Sequence, residues 1–272
     1  MQNFIDKLNS ILNDFKEDED YYREDLARAN EAKARQDKIS ASSGGNVTWE
    51  YPVLGQNYAG ALDDAVRFYQ KEFNVTPHAR VYSDWEELDE APGFAAGATW
   101  PADKYGQSPV NLRYMDEWGE EEDKQLAEEA EAEHWHPKNA STIAKTPVHE
   151  FGHVLYNTLF PGEDTSSNRS NMTYRKLAMD ALADLGVKNN NEAGEKVGEI
   201  SEYAKDSPAE TVSEALVDYY YNRDNSADLS KAIVKRLRSN GITYGMRQAG
   251  GFDMDPSADN FIKNLRRYKV IQ

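Results

Sequence analysis

The sequence predicts an α+β fold, and three observations carry that prediction. Helical periodicity over 57–73 gives way to three short runs that read as strands. From about residue 141 onward, apolar residues recur at helical spacing almost to the end of the chain. Strands gathered between helical stretches, without regular alternation, are the order of an α+β domain. An apolar fraction of 39% over 272 residues is enough to fill a real core.

The elements follow in chain order. Phe4, Ile5, Leu8, Ile11, Leu12 and Phe15 make an apolar stripe at helical spacing, so residues 1–39 read as an N-terminal helical arm. Such an arm serves either as a docking surface for a protein partner or as an amphipathic helix packed on its own domain. Residues 40–46, Ser-Ala-Ser-Ser-Gly-Gly-Asn, have the composition of a flexible linker. The main domain then spans 47–250. A tail over 251–272 packs on it, and its Asp253, Asp255 and Asp259 lack the spacing of a calcium loop.

Within the domain, Ala61, Ala65, Val66, Phe68 and Tyr69 mark the apolar side of the 57–73 helix. Residues 79–82, 93–100 and 109–114 read as strands, the last two joined by a polar loop. Residues 116–138 are acidic and read as solvated. They include His134 and His136 on either side of Trp135, a pair that reads only weakly as metal-binding. Tyr174, Leu177, Ala178, Ala181, Leu182 and Leu185 form a helical stripe that Gly186 ends. Further helices are predicted over 192–205, 208–222 and 227–239.

Between the strands and this helical half lies His149-Glu150-Phe151-Gly152-His153. Two of the five histidines of the chain are in this run. On a helix, positions i and i+4 share a face, so both imidazoles can grip one Zn²⁺. The glutamate between them can take a proton from a zinc-activated water. Val148, Phe151, Val154, Leu155 and Leu159 supply the core-facing positions of that helix. It starts either with Thr146 as cap and Pro147 as first residue, or earlier, near Ser141, with Pro147 in the second turn. Gly152, lacking a side chain, lets another backbone approach.

Composition narrows the chemistry. With no cysteine, any metal must be held by histidine and carboxylate. A net charge of −17 disfavours nucleic acid and permits a basic peptide or protein substrate. No apolar run is long enough to cross a membrane. The N-terminus lacks the pattern of a signal peptide, which suits the cytoplasm or a virion; an effector secreted by another route would look the same.

A catalytic zinc takes three protein ligands and keeps one open position. Tyr156 and Leu159 stand where the longer metzincin pattern would put its glycine and third histidine, so the third ligand lies elsewhere. Asp180 and Asp184 lie in a helical stripe without further support. Glu210 and Glu214, four apart on one helix face, are better placed: one can bind metal while the other orients a ligand imidazole. Ser207-x-x-Glu210 with Pro208 is also a capping box, which competes for the same carboxylate.

His149-Glu150-x-x-His153, Tyr203 and Glu210-x-x-x-Glu214-Ala215 together resemble the anthrax-lethal-factor-like branch of the gluzincin metallopeptidases. They are similar as well to related metallopeptidase domains encoded by bacteriophages and mobile elements. The resemblance covers about residues 75–222. It implies a zincin-like fold: a small, mostly antiparallel sheet, an active-site helix and a helical C-terminal subdomain. It implies His149, His153 and Glu210 as ligands of one catalytic zinc, Glu150 as general base, Tyr203 as oxyanion donor and Glu214 as the outer carboxylate. An exposed strand, with 109–114 as the candidate, would pair with the peptide substrate. The chain departs from the family at Thr211-Val212, where an aromatic pair is usual, and at Leu216, where phenylalanine is usual. The competing expectation is a catalytically silent protein of the same fold, phage-derived or effector-like, working through its helical arm.

Overall fold

The computed structural model describes residues 46–49, 56–82, 97–112 (except 101, 104 and 105), 128–129, 132–140, 142–160 and 168–248, with isolated positions between 23 and 41. Those isolated positions are helical, including Ala41 inside the segment read as linker. The rest of the N-terminal arm and the tail over 251–272 lie outside the described residues. The fold is α+β and rich in helix.

Strand β1 (Val47–Trp49) leads into helix α1 (Gln56–Phe73), which returns the chain to β2 (Ala79–Tyr82). Leu62, Val66, Tyr69 and Phe73 recur at helical spacing on α1, and all are buried. Asn74, at φ 55°, ends that helix; asparagine tolerates this left-handed conformation better than most residues. Strands β3 (Gly97–Thr99) and β4 (Ser108–Leu112) complete the sheet in the order β1-β2-β4-β3. The polar loop between the last two turns on Gly106, whose amide donates to the Asp103 carbonyl across 2.9 Å.

Two expectations about the sheet are corrected. It is mixed and not mostly antiparallel, because β1 with β2 and β2 with β4 are parallel and only β3 with β4 is antiparallel. The first parallel pair follows from the α1 crossover, which brings the chain back in its original direction. The strand expected over 109–114 is not an edge: β4 is paired on both sides, and among the described residues β3 is the edge beside it. Apolar alternation identifies a strand but not the direction of its neighbours.

Helix α2 (Thr142–Leu159) begins early, with Pro147 inside it. Phe151, Val154, Leu155 and Tyr156 are fully buried along it. The buried Tyr69 hydroxyl donates to the Val148 carbonyl across 2.6 Å and ties α1 to α2. Helix α3 (Asn168–Asp184) closes at Gly186, whose φ of 75° suits glycine. The helix expected over 192–205 is broken: α4 (Asn190–Gly198) is followed by a separate 3₁₀ turn, Tyr203–Lys205. Between them Ser201, fully buried, accepts the Ala204 amide on its hydroxyl at 3.0 Å, a local bond that competes with helix.

Helix α5 (Pro208–Asn222) has the predicted bounds, and α6 (Asp228–Gln248) runs past them. The corner between them is set by Asp218, whose Oδ2 accepts from the Ala227 amide at 2.8 Å and the Ser230 hydroxyl at 2.6 Å. Strand residues Val81, Val110 and Leu112 share one buried cluster with residues of α1, α2, α3, α5 and α6. Among the described residues no helix is long and apolar enough to cross a membrane.

Candidate metal centre

The site forms where α2 passes the first half of α5. Gly152 faces α5 so closely that an added Cβ would lie 3.1 Å from Ser213 Oγ and 3.3 Å from Ser213 Cα. That approach brings Glu210 and Glu214 against the histidine face of α2. Glu210 Oε2 lies 2.9 Å from His149 Nε2, and Glu210 Oε1 lies 3.8 Å from His153 Nε2. One ligand atom from each of His149, His153 and Glu210 falls within 4.8 Å of the others.

At Glu210 the cap and the approach to the histidines use different groups. The Glu210 amide donates to Ser207 Oγ at 3.2 Å, which caps α5. The carboxylate turns instead toward the histidines. Its Oε2 is buried, and the close His149 nitrogen is not aligned for a hydrogen bond. Burial alone would raise this carboxyl; the two imidazoles outweigh burial and hold it at about 2. A buried, ionised oxygen with no aligned donor, beside two imidazole nitrogens, is a donor set that fits zinc.

Glu214 is completely buried and serves the other side of His149. His149 Nδ1 donates to Glu214 Oε1 at 2.8 Å, which fixes the tautomer and turns Nε2 toward Glu210. Ser201 Oγ donates to Glu214 Oε2 at 2.9 Å. Burial pushes the Glu214 carboxyl upward, but donors from His136 and His149 overcome it and hold the group far below its usual range. Burial lowers His149 too, yet the two carboxylates that flank it raise it well above its ordinary value. Burial dominates at His153 and lowers it. Its Nδ1 lies 3.4 Å from the Tyr174 hydroxyl, a longer contact than the carboxylate grip on His149.

Glu150, on α2, is held by the edge strand. Thr99 Oγ1 donates to Glu150 Oε2 at 2.7 Å. Gly97 packs directly on the same side chain: a Cβ there would lie 2.9 Å from Glu150 Cγ. Tyr203 sits on the 3₁₀ turn with its ring 5.7 Å from the His149 ring. Burial first, then the nearby carboxylates, push its phenol up, so it stays a neutral donor.

All six residues singled out from the sequence, His149, Glu150, His153, Tyr203, Glu210 and Glu214, therefore lie in one cluster. Asp180 and Asp184 do not; they pair with Arg236 on another face. Thr99, Gly97 and Ser201 were missed, since small residues in short segments carry no periodic signal, and Tyr174 was read from its helical stripe as a core position alone. The segment holding His136, expected to be solvated, is partly buried, with His136 Nδ1 donating to Glu214 Oε2 at 3.4 Å. Comparison with protein-family models, with curated proteins and with solved structures finds no match to this chain.

Proposed function

We propose that this chain is a zinc-dependent metallopeptidase of gluzincin type, with a zincin-like arrangement of active-site helix and edge strand. The observation that carries the proposal is the convergence of His149, His153 and Glu210 from two helices, their ligand atoms within 4.8 Å. Glu150 and Tyr203 at the same place add groups that merely holding zinc does not require.

Bound zinc supplies Lewis-acid polarisation of a peptide carbonyl and lowers the pKa of a water at the open position. The chain supplies the rest. Glu210 and the two histidines hold the ion, and Glu214 keeps His149 in the tautomer that ligation needs. Glu150 takes the proton of the attacking water on Oε1, the oxygen that Thr99 does not engage, and delivers it to the leaving amine. The neutral Tyr203 phenol donates a hydrogen bond to the developing oxyanion. An extended peptide pairs along β3, which has β4 as its one strand partner among the described residues. The acidic chain, at −17 overall, favours basic peptides in the first encounter.

The test is elemental analysis of the purified protein with the His149→Ala and Glu210→Ala variants, followed by cleavage of a peptide library. About one zinc per chain, lost in both variants, with cleavage abolished by chelator, is the expected result. No zinc after reconstitution would overturn the proposal. Zinc with no cleavage of any peptide would favour the catalytically silent protein instead.

A further inference from the structure

The segment from His134 to Asn139 belongs to no helix or strand, yet the structure fastens it along α5. The Glu202 amide donates to the His134 carbonyl at 2.8 Å, and the Tyr203 amide donates to the Trp135 carbonyl at 3.2 Å. His134 Nε2 donates to the Gly198 carbonyl at 3.1 Å. At the far end, Asn139 Nδ2 donates to Asn222 Oδ1 at 2.7 Å, and Asn222 Nδ2 donates to the Lys138 carbonyl at 2.9 Å. The segment is thus tied both to the turn before α5 and to the last residue of α5. His134 at φ 53° and Asn139 at φ 61° hold left-handed conformations, which the surrounding bonds must maintain.

Between these anchors the side chains face the site. The Trp135 ring lies 5.8 Å from the Tyr203 ring at 30°, and the His136 ring lies 5.8 Å from it, edge-on at 81°. His136 Nδ1 reaches Glu214 Oε2 at 3.4 Å. A completely buried carboxylate stays ionised only if donors replace the water it has lost. Among the described residues Glu214 has three: His149 on Oε1, and Ser201 and His136 on Oε2.

We propose that His136 is a positioning residue of the metal centre: it secures Glu214, which in turn orients His149. The inference rests on the zinc reading above. It adds a further layer to the centre, from a segment more than sixty residues upstream of the turn that it grips. Without His136, Glu214 Oε2 keeps, of its donors among the described residues, the Ser201 hydroxyl alone; the carboxylate can rotate, and His149 loses its fixed tautomer.

The experiment measures zinc affinity of the full chain by competition with a chromogenic chelator, for wild type, His136→Ala and His136→Asn. Asparagine places an amide N–H near the position of Nδ1 and serves as the conservative variant. His136→Ala should bind zinc about tenfold more weakly, the lower end of the effect of removing outer partners of a ligand. His136→Asn should recover most of that loss. Thermal midpoints of the metal-free proteins separate this role from general packing, because a purely structural residue would lower both variants alike. Wild-type affinity in His136→Ala, or equal losses in both variants, would overturn the inference while leaving the zinc site standing. Absence of zinc from wild type would remove the zinc reading itself and the inference with it.

Discussion

Thr99 donates its hydroxyl proton to Glu150 across 2.7 Å, so the edge strand of the sheet holds the carboxylate proposed as general base. The strand that would receive substrate and the group that would move the proton are therefore coupled through one side chain. Thr99→Val keeps the shape and removes the donor. It should slow peptide hydrolysis about 10- to 100-fold, the scale expected for a misplaced catalytic group, while zinc content stays at wild-type level. Thr99→Ser, which restores the hydroxyl, should restore most of the rate. Steady-state rates and elemental analysis of the same preparations check both points.

Glu150→Gln should retain zinc and lose hydrolysis by about 10²- to 10⁴-fold, the usual contribution of a general acid–base group. The amide has nearly the same volume in the site and cannot accept the water proton. A variant that cleaves as fast as wild type would remove Glu150 from the mechanism.

Glu210→Ala and Glu214→Ala should differ in rank. The first removes a ligand and should leave zinc too weakly held to survive gel filtration. The second removes the partner of His149 and should weaken zinc by about 10- to 100-fold. Zinc titration with a competing chelator gives both values, and a reversed order would mean that the two carboxylates exchange roles.

The metal-free protein should show a pH window set by this cluster. Glu210, held at about 2, and Glu214, also held below its ordinary 4.5, contribute stability that is present above 4.5 and lost as pH falls below it. His149 is raised above its ordinary 6.5, so its contribution is present below 6.5 and lost as pH rises through the raised value. Thermal midpoints against pH should therefore fall on both sides, and His149→Ala should flatten the alkaline limb. Zinc must displace the His149 proton, so its affinity should climb with pH over the same alkaline range.

The site was more legible in the sequence than the sheet. His149 and His153 are related by helix geometry, and Glu210 and Glu214 by the same rule, so four side chains could be placed on two faces from spacing alone. Helix α5 carries its own start signal in Ser207-Pro208, and its bounds match the expectation. Strand β1, three residues long, offers too few positions for alternation to register. The interior place of β4 depends on the unrelated path of β2, which no local pattern encodes. His136 was read only as a weak metal-binding candidate in an acidic, solvated segment, because its partner Glu214 lies seventy-eight residues onward.

Gly152 fills one of the two unspecified positions of the histidine motif, and α5 leans on the space it leaves. The proposed ligands come from both helices, so the gap between the helices would also be the bite of the chelate. A methyl group at 152 would press on Ser213 and Leu216, and the adjustment would pass directly into the separation of Glu210 from the two imidazoles. The proposed coordination sphere would be gauged by the thickness of a backbone.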